Sequence, residues 1–283
     1  MTIAIFGNTY KRATIPEVEH ILQFMTDKGV RVLLSQELRH EMTLFMQYDP
    51  FDEETSEEVD FALSIGGDGT FLTTASIIGD KNIPILGVNC GHLGFLADVS
   101  THEIDQILHQ LLEGDYTIGQ RSVLQVTTVG GGHIMKPFAL NEVAVMKQEL
   151  SSMISVETSI NGEHLHTYKA DGLVVATPTG STAYNLSVGG PLMSPNVRGT
   201  ILSPIATHSL NVRPLVIPDD REIDLTMRSR SGSYLVSIDG RSQALKDEVA
   251  LHIERAPFTI KMVQLGDRTF IETLRAKLLW GAE

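Results

Sequence analysis

Residues 65–71 read Ile-Gly-Gly-Asp-Gly-Thr-Phe, one carboxylate set among three glycines. Backbone without side chains lets amide groups approach an anion closely, and a helix N-terminus placed there adds a favourable dipole. A carboxylate beside such a phosphate cradle has two sensible roles. It can take the proton of an attacking hydroxyl, or it can help hold a metal ion. A helix-capping aspartate on a strand-to-helix turn accounts for Asp68 and one glycine, but not for the other two. Two common phosphate loops do not match. The dinucleotide fingerprint needs a further glycine where Thr70, Phe71 and Leu72 follow Gly69, and a P-loop ends in Gly-Lys-Ser/Thr.

Two more stretches carry polar groups in unusual company. Asn141 and Glu142 interrupt an apolar, strand-like run. Adjacent strand residues point to opposite faces, so one of the pair points inward or the strand is bulged to present both, and a buried one needs a partner. A solvated strand face is the plainer account. Residues 168–191 hold Asp171, Tyr184, the hydroxyls of Thr177, Thr179, Ser181, Thr182 and Ser187, and the turn-like Gly180-Ser181-Thr182 and Gly189-Gly190-Pro191. Such a small, hydroxyl-rich stretch can press backbone against a polar ligand such as a ribose. The plainer account is a set of connecting turns. Histidines offer less. His164 and His166 share a strand face, and His102 and His109 can share a helix face, but neither pair has a third ligand at a recognisable spacing, and one cysteine cannot make a thiolate zinc site. No residues are assigned to a metal. No Gly-x-Ser-x-Gly elbow is present, and Ser181 has no partner that would activate it.

The elements that must position these groups fall into two patterns. Up to about residue 115, strand-like runs (2–7, 30–35, 59–66, 83–89) alternate with helical ones (16–28, 36–47, 70–79, 102–114), and an acidic loop covers 48–58. That alternation predicts an open parallel sheet. From residue 116 the chain is rich in valine, isoleucine and threonine, with strands expected over 121–129, 136–147, 151–160, 172–178, 213–218, 222–227, 233–240, 248–254 and 258–265. Asn161-Gly162 marks a tight hairpin turn. Residues 269–283 again read as a helix. The expected domains are an α/β unit over 1–115, a β-rich unit over 116–262, and a C-terminal segment, 263–283, packing back on the first.

The 283 residues suit one large or two ordinary domains, and the 42% hydrophobic content allows a sizeable core. No apolar run is long enough for a membrane helix, and the N-terminus lacks the features of a signal peptide. The lone Cys90 excludes a disulfide within the chain and fits a reducing cytoplasm. A net charge of −13 argues against a nucleic-acid or anionic-membrane surface. A phosphate-bearing ligand would therefore be held locally, by backbone N–H groups, a helix N-terminus or a metal ion.

Taken together, "GGDGT" after a strand, "NE" at 141–142, "DGLVVATPTGSTAYNLSVGGP" at 171–191, "HSLNVRP" at 208–214 and "SIDG" at 237–240 resemble the NAD kinase family. The motifs span about residues 60 to 245, and "GSTAYNLSVGGP" discriminates most, since lipid kinases and phosphofructokinases also carry glycine-aspartate loops. The resemblance implies a Rossmann-like α/β domain followed by a β-sandwich-like domain, with the C-terminal segment returning to the first. It implies ATP-dependent phosphorylation of the 2′-hydroxyl on the adenosine ribose of NAD, giving NADP, with a divalent metal, expected to be Mg²⁺. Asp68 matches the catalytic aspartate. Gly66, Gly67, Gly69, Thr70 and Phe71 match the donor-phosphate loop. Asn141 and Glu142 match the pair that holds the adenosine portion of NAD. Lys169 and Asp171 fall where the family contacts NAD, with Asp171 near the nicotinamide end. Thr182, Ala183, Tyr184, Asn185 and Ser187 match the segment packed on the dinucleotide, and Asp239 and Arg241 match a further contact region. The implied partners are NAD and ATP, with no nucleic acid or membrane, and the implied assembly is a homodimer or homotetramer. Two competing readings are a lipid kinase of the diacylglycerol kinase type and a non-catalytic dinucleotide-sensing module. The acidic charge and the polar 179–187 stretch count against the first.

Overall fold

Hydrophobic periodicity builds the first unit. In the computed structural model, which describes residues 1–7, 14–41, 43–91, 94–97, 99–149, 152–266 and 269–280, the chain divides into two compact units. One comprises Met1–Gln120 and Ile260–Glu283, the other Arg121–Thr259. The first contains β1 (Thr2–Gly7), α1 (Thr14–Asp27), β2 (Arg31–Leu34), α2 (Gln36–Glu41), β3 (Asp49–Pro50), β4 (Phe61–Gly66), α3 (Asp68–Ile78), β5 (Ile85–Asn89), β6 (Val99–Ser100) and α4 (Ile104–Glu113). Its strands run parallel in the order β3-β2-β1-β4-β5. α1 buries Val18, Ile21, Leu22 and Met25, and α4 buries Ile104, Ile107, Leu108 and Leu111, the i, i+3, i+4, i+7 stripe that covers a sheet. Both pack with Ile3, Ile5, Leu63, Ile65, Leu86 and Val88 into one core. Gly114 closes α4 in the left-handed conformation, φ 79°. The strand order reverses between β1 and β4, and in open α/β sheets ligands bind beyond the carboxyl ends of strands at that point. The Gly-Gly-Asp-Gly loop follows β4 there.

The second unit is antiparallel. It takes in most of β7 (Thr117–Val129), then β8 (Phe138–Ala139), β9 (Glu142–Lys147), β10 (Ile154–Ile160), β11 (Glu163–Ala170), β12 (Gly172–Ala176), the short helix α5 (Tyr184–Ser187), β13 (Thr200–Ile205), β14 (Leu215–Ile217), β15 (Ile223–Arg228), β16 (Ser233–Ile238), β17 (Arg241–Lys246) and the first part of β18 (Ala250–Gln264). One sheet has the order β14-β13-β12-β9-β16-β17; another run pairs β11-β10-β15-β18. Inward residues of both form a shared sandwich core, among them Val143 and Val145, Leu173 and Val175, Leu225 and Met227, Tyr234 and Val236, and Leu251 and Ile253. All of β12 is buried because its other face is covered too: Val174 and Ala176 join Ala144, Met193 and Ile201, with Tyr184 and Val188 packed against them. Tyr234 is fully buried and its hydroxyl donates to Val249 O at 2.8 Å. Tyr234→Phe leaves that carbonyl without the bond and should lower stability by about 1–2 kcal/mol, read from urea unfolding.

The α/β plus β-sandwich class holds, with local departures. Prolines mark two of them. Pro204 lies in β13 past Thr200–Leu202, the residues that pair with β14, so it is flanked by β12 alone, as suits a proline. Pro257 split 248–265 into two expected strands, but β18 runs through it for 15 residues. The expected helix over 36–47 is α2 followed by a 3-10 turn, Thr43–Gln47. The acidic loop contains a further 3-10 turn, Thr55–Glu58. Beyond β18, α6 (Phe270–Leu278) starts with a Thr269/Glu272 capping box. Met262 of β18 pairs in parallel with Ile85 of β5, so the returning chain adds a strand to the first unit. Residues 281–283 of the expected terminal helix lie outside the described residues.

Candidate active site

Asp68 is held by backbone. It opens α3 directly after β4, and its carboxylate reaches the segment that follows β5. Oδ1 accepts from the N–H of Leu96 (2.9 Å) and Ala97 (3.0 Å), and Oδ2 accepts from Phe95 N–H (3.0 Å). A carboxylate offers about four acceptor positions. Among the described residues, these three bonds leave one, on Oδ2. The remaining features of the loop differ in kind. A Cβ on Gly66 would overlap the Thr70 side chain, so internal packing demands that glycine. A Cβ on Gly67 or Gly69 would meet nothing among the described residues, so no described neighbour requires them. Phe71 N–H is the first to close a helical turn, onto Gly67 O at 3.0 Å. The N–H groups of residues 68–70 therefore precede the intrahelical ladder.

A second cluster sits at the start of β9. Leu140, Asn141 and Glu142 donate their backbone N–H groups to the Asp239 carboxylate, at 2.8, 2.8 and 3.1 Å. Thr177 takes the other edge, its hydroxyl donating to Leu140 O at 2.5 Å and its N–H to Asn141 O at 2.9 Å. The Glu142 carboxyl is buried, and its Oε2 has no partner among the described residues. Burial first, and then the neighbouring Asp239 charge, push it up to about 7, while the N–H of Tyr184 pulls the other way. Burial also raises Asp239, against the opposing pull of its N–H donors and Arg241. Three donors converging on two oxygens is the pattern of an ionised carboxylate, so the proton of this acidic pair belongs to Glu142.

The raised Glu142 has a consequence for stability. The folded protein holds a proton that the unfolded chain releases near pH 4.5, so stability falls as pH rises from about 4.5 to about 7. Glu142→Gln removes that slope. Between pH 5 and pH 8 the ligand-free variant should gain about 2–3 kcal/mol relative to the parent, read from urea unfolding at both values.

The other expected contacts divide into presented and framing groups. Lys169 is exposed on β11, and Asp171 pairs with Lys147 at 2.7 Å. Glu142 pairs with Ala176 and Met146 with Gly172, so Glu142 and Asp171 mark opposite ends of one β9–β12 pair, roughly 17 Å apart at strand rise. Thr182, Ala183 and Tyr184 are half-buried, and Ser187 is exposed. The Tyr184 hydroxyl lies 3.9 Å from Met146 Sδ. Three residues read as ligand contacts have side chains engaged within the chain. Phe71 is fully buried in the α3 core. Asn185 is fully buried, with its amide donating to Ser181 O and Pro191 O and accepting from Ser203 Oγ, which holds the turn over β12. Asp239 faces backbone, and Arg241 beside it donates to Phe138 O at 3.0 Å. The histidines also have structural surroundings: His109 packs edge-on to Phe24 and His166 to Tyr168. The side chain of His102 lies outside the described residues.

Residues 3–116 match the ATP-NAD kinase N-terminal domain and residues 140–265 the ATP-NAD kinase C-terminal domain. The chain belongs to the ATP-NAD kinase family. It is 46% identical over 287 residues to a NAD kinase of Bacteroides fragilis, covering 100% of this chain and 99% of that one. It is 44% identical to a NAD kinase of Porphyromonas gingivalis, covering 99% and 98%. Among solved structures it is similar in fold to yeast NADH kinase complexed with NADH, with a TM-score of 0.89, 21% identity and coverage of 100% and 88%. It is also similar to an NAD kinase from Archaeoglobus fulgidus in complex with ATP, with a TM-score of 0.77, 26% identity and 99% of both chains covered. These likenesses give no support to the lipid-kinase or sensor reading.

In this ATP-NAD kinase family member, sequence reasoning missed two groups. One is the 94–97 segment that clamps Asp68. Gly94 was its visible signal: a Cβ there would overlap Asp68 Oδ1 and lie 2.9 Å from Ala97 O. The other is the Thr177–Gly180 support beneath Asn141, where a Cβ on Gly180 would lie 2.7 Å from Asn141 Cα. The kinase family also implies a divalent metal. No cluster of three or more His, Cys, Asp or Glu suited to a metal occurs among the described residues.

Proposed function

We infer that the chain transfers the terminal phosphoryl group of ATP to the 2′-hydroxyl of the adenosine ribose of NAD, giving NADP. The observation that carries the mechanism is the Asp68 carboxylate held by three backbone donors, with one acceptor position on Oδ2 left open among the described residues. Asp68 accepts the hydrogen bond of the 2′-hydroxyl and takes its proton as the new P–O bond forms and the bond to the ADP leaving group breaks. The fixed carboxylate needs no reorganisation to meet that hydroxyl. Gly67, Gly69 and Thr70 leave the N–H groups at the start of α3 open to donor phosphates, and Gly66 allows Thr70 to pack. Mg²⁺ bound to those phosphates would neutralise the charge that develops during transfer. With that position free, Asp68 is placed to serve the hydroxyl.

Asn141 and Glu142 hold the adenosine end of NAD, and Asp171 with Lys169 takes the nicotinamide end. The separation along β9–β12, roughly 17 Å, suits an extended dinucleotide. Thr182, Ala183, Tyr184 and Ser187 line its course over the outer face of that sheet, and Arg241 supports Phe138 beside it. The lone Cys90 suits a reducing cytoplasm, and a homodimer or homotetramer is the assembly we expect. Incubating the protein with NAD, ATP and Mg²⁺ should yield NADP and ADP in equal amounts. Absence of NADP with any nucleotide or polyphosphate donor would overturn the assignment.

A further inference from the structure

We propose that Asp239 is a positioning residue that sets the geometry of Asn141 and Glu142, and does not itself contact NAD. The proposal rests on the reading of 141–142 as the adenosine-binding pair. Asp239 and Gly240 form the two-residue turn between β16 and β17, with φ of 47° and 80°. Both angles are positive, which is the primed hairpin turn that Asp-Gly sequences favour. A turn at that place needs no buried charge. Yet the Asp239 carboxylate points into the protein, onto the N–H groups of Leu140, Asn141 and Glu142, and Asp239 N–H donates back to Glu142 O at 3.1 Å. The three residues would otherwise present unpaired donors at the start of β9, a costly arrangement when buried.

The opposite edge of the same segment is held as firmly. Thr177 engages the carbonyls of Leu140 and Asn141, and the Thr177 hydroxyl also accepts from Gly180 N–H at 3.0 Å. Gly180 brings its backbone against Asn141, where any side chain would collide. The donors of 140–142 are thus fixed by one carboxylate and the acceptors of 140–141 by one threonine. Holding recognition groups from both sides removes the freedom that binding would otherwise have to quench. The groups facing Glu142 are Asp239 from the hairpin turn, the N–H of Tyr184 from α5 and, through Asp239, Arg241 from β17.

Asp239→Asn tests this. The amide keeps the shape but turns an NH₂ toward backbone N–H donors, and it removes the negative charge beside Glu142. We expect kcat/KM for NAD to fall about 10- to 100-fold while KM for ATP stays within about twofold. The pH midpoint of kcat/KM for NAD, expected near 7 in the parent from Glu142, should move to lower pH. A folded variant with parental kcat/KM for NAD and an unmoved midpoint overturns the proposal, as does an equal loss toward both substrates. If the variant does not fold, hydrogen exchange in the parent decides. Amides of 140–142 protected like those of the β9 ladder, with and without NAD, support the clamp, and exchange at open-chain rates refutes it. A parent that makes no NADP sinks the kinase reading itself. An active parent with an unaffected variant sinks only the role of Asp239.

Discussion

Asp68→Asn should lower turnover of NAD to NADP by about 10²- to 10⁴-fold, the usual contribution of a general base. The substitution is nearly isosteric, so its effect separates chemistry from shape. An asparagine oxygen in the Oδ1 position can still accept from Leu96 and Ala97, but its NH₂ then faces the N–H of Phe95. That mismatch is expected to cost about 1–3 kcal/mol of stability, visible as a lower urea midpoint. NAD binding, measured by calorimetry, should persist, because Asn141 and Glu142 belong to the other compact unit. A variant that turns over at the parental rate would show that the proton leaves the 2′-hydroxyl by another route.

Gly94→Ala should be nearly as damaging, although residue 94 has no reactive group. The added methyl would occupy the space of Asp68 Oδ1, lie 2.8 Å from Asp68 Cγ and crowd Ala97 O. Ala97 O cannot retreat easily, because it already accepts from Gly94 N–H at 2.9 Å. The carboxylate must therefore rotate off its donors, and a displacement of about 1 Å costs on the order of 100-fold in rate. The expected signature is a kcat loss of about 100-fold with KM for NAD little changed. A double variant with Asp68→Asn should lose little more than Asp68→Asn alone, since both act on one group. Parental kcat in folded Gly94→Ala would mean that the three-donor clamp does not set the position of Asp68.

Much of the architecture was legible because it depends on local pattern. The alternation of strand and helix to about residue 115, the apolar stripes of α1 and α4 and the Asn161-Gly162 hairpin are short-range signals. Two departures came at prolines. Pro204 lies in β13 past the residues that pair with β14, and the exposed Pro257 lies within a 15-residue strand. The site was legible in its residue types and less so in its orientations. Phe71, Asn185 and Asp239 were read as ligand contacts because they sit within the recognised motifs, yet each faces inward.

The amino-acid order by itself determined the kind of chemistry: a carboxylate in bare backbone after a strand, an Asn-Glu pair in an apolar run, and a hydroxyl-rich turn region without a nucleophile. Only the tertiary structure decided which polar groups are tied to other parts of the chain. The reason is the range of the bonds involved. Asp68 is fixed by amides 27 to 29 residues away and Asp239 fixes amides 97 to 99 residues away. Backbone donors are present at almost every residue, so no side-chain pattern marks the ones that the fold will bring to a carboxylate.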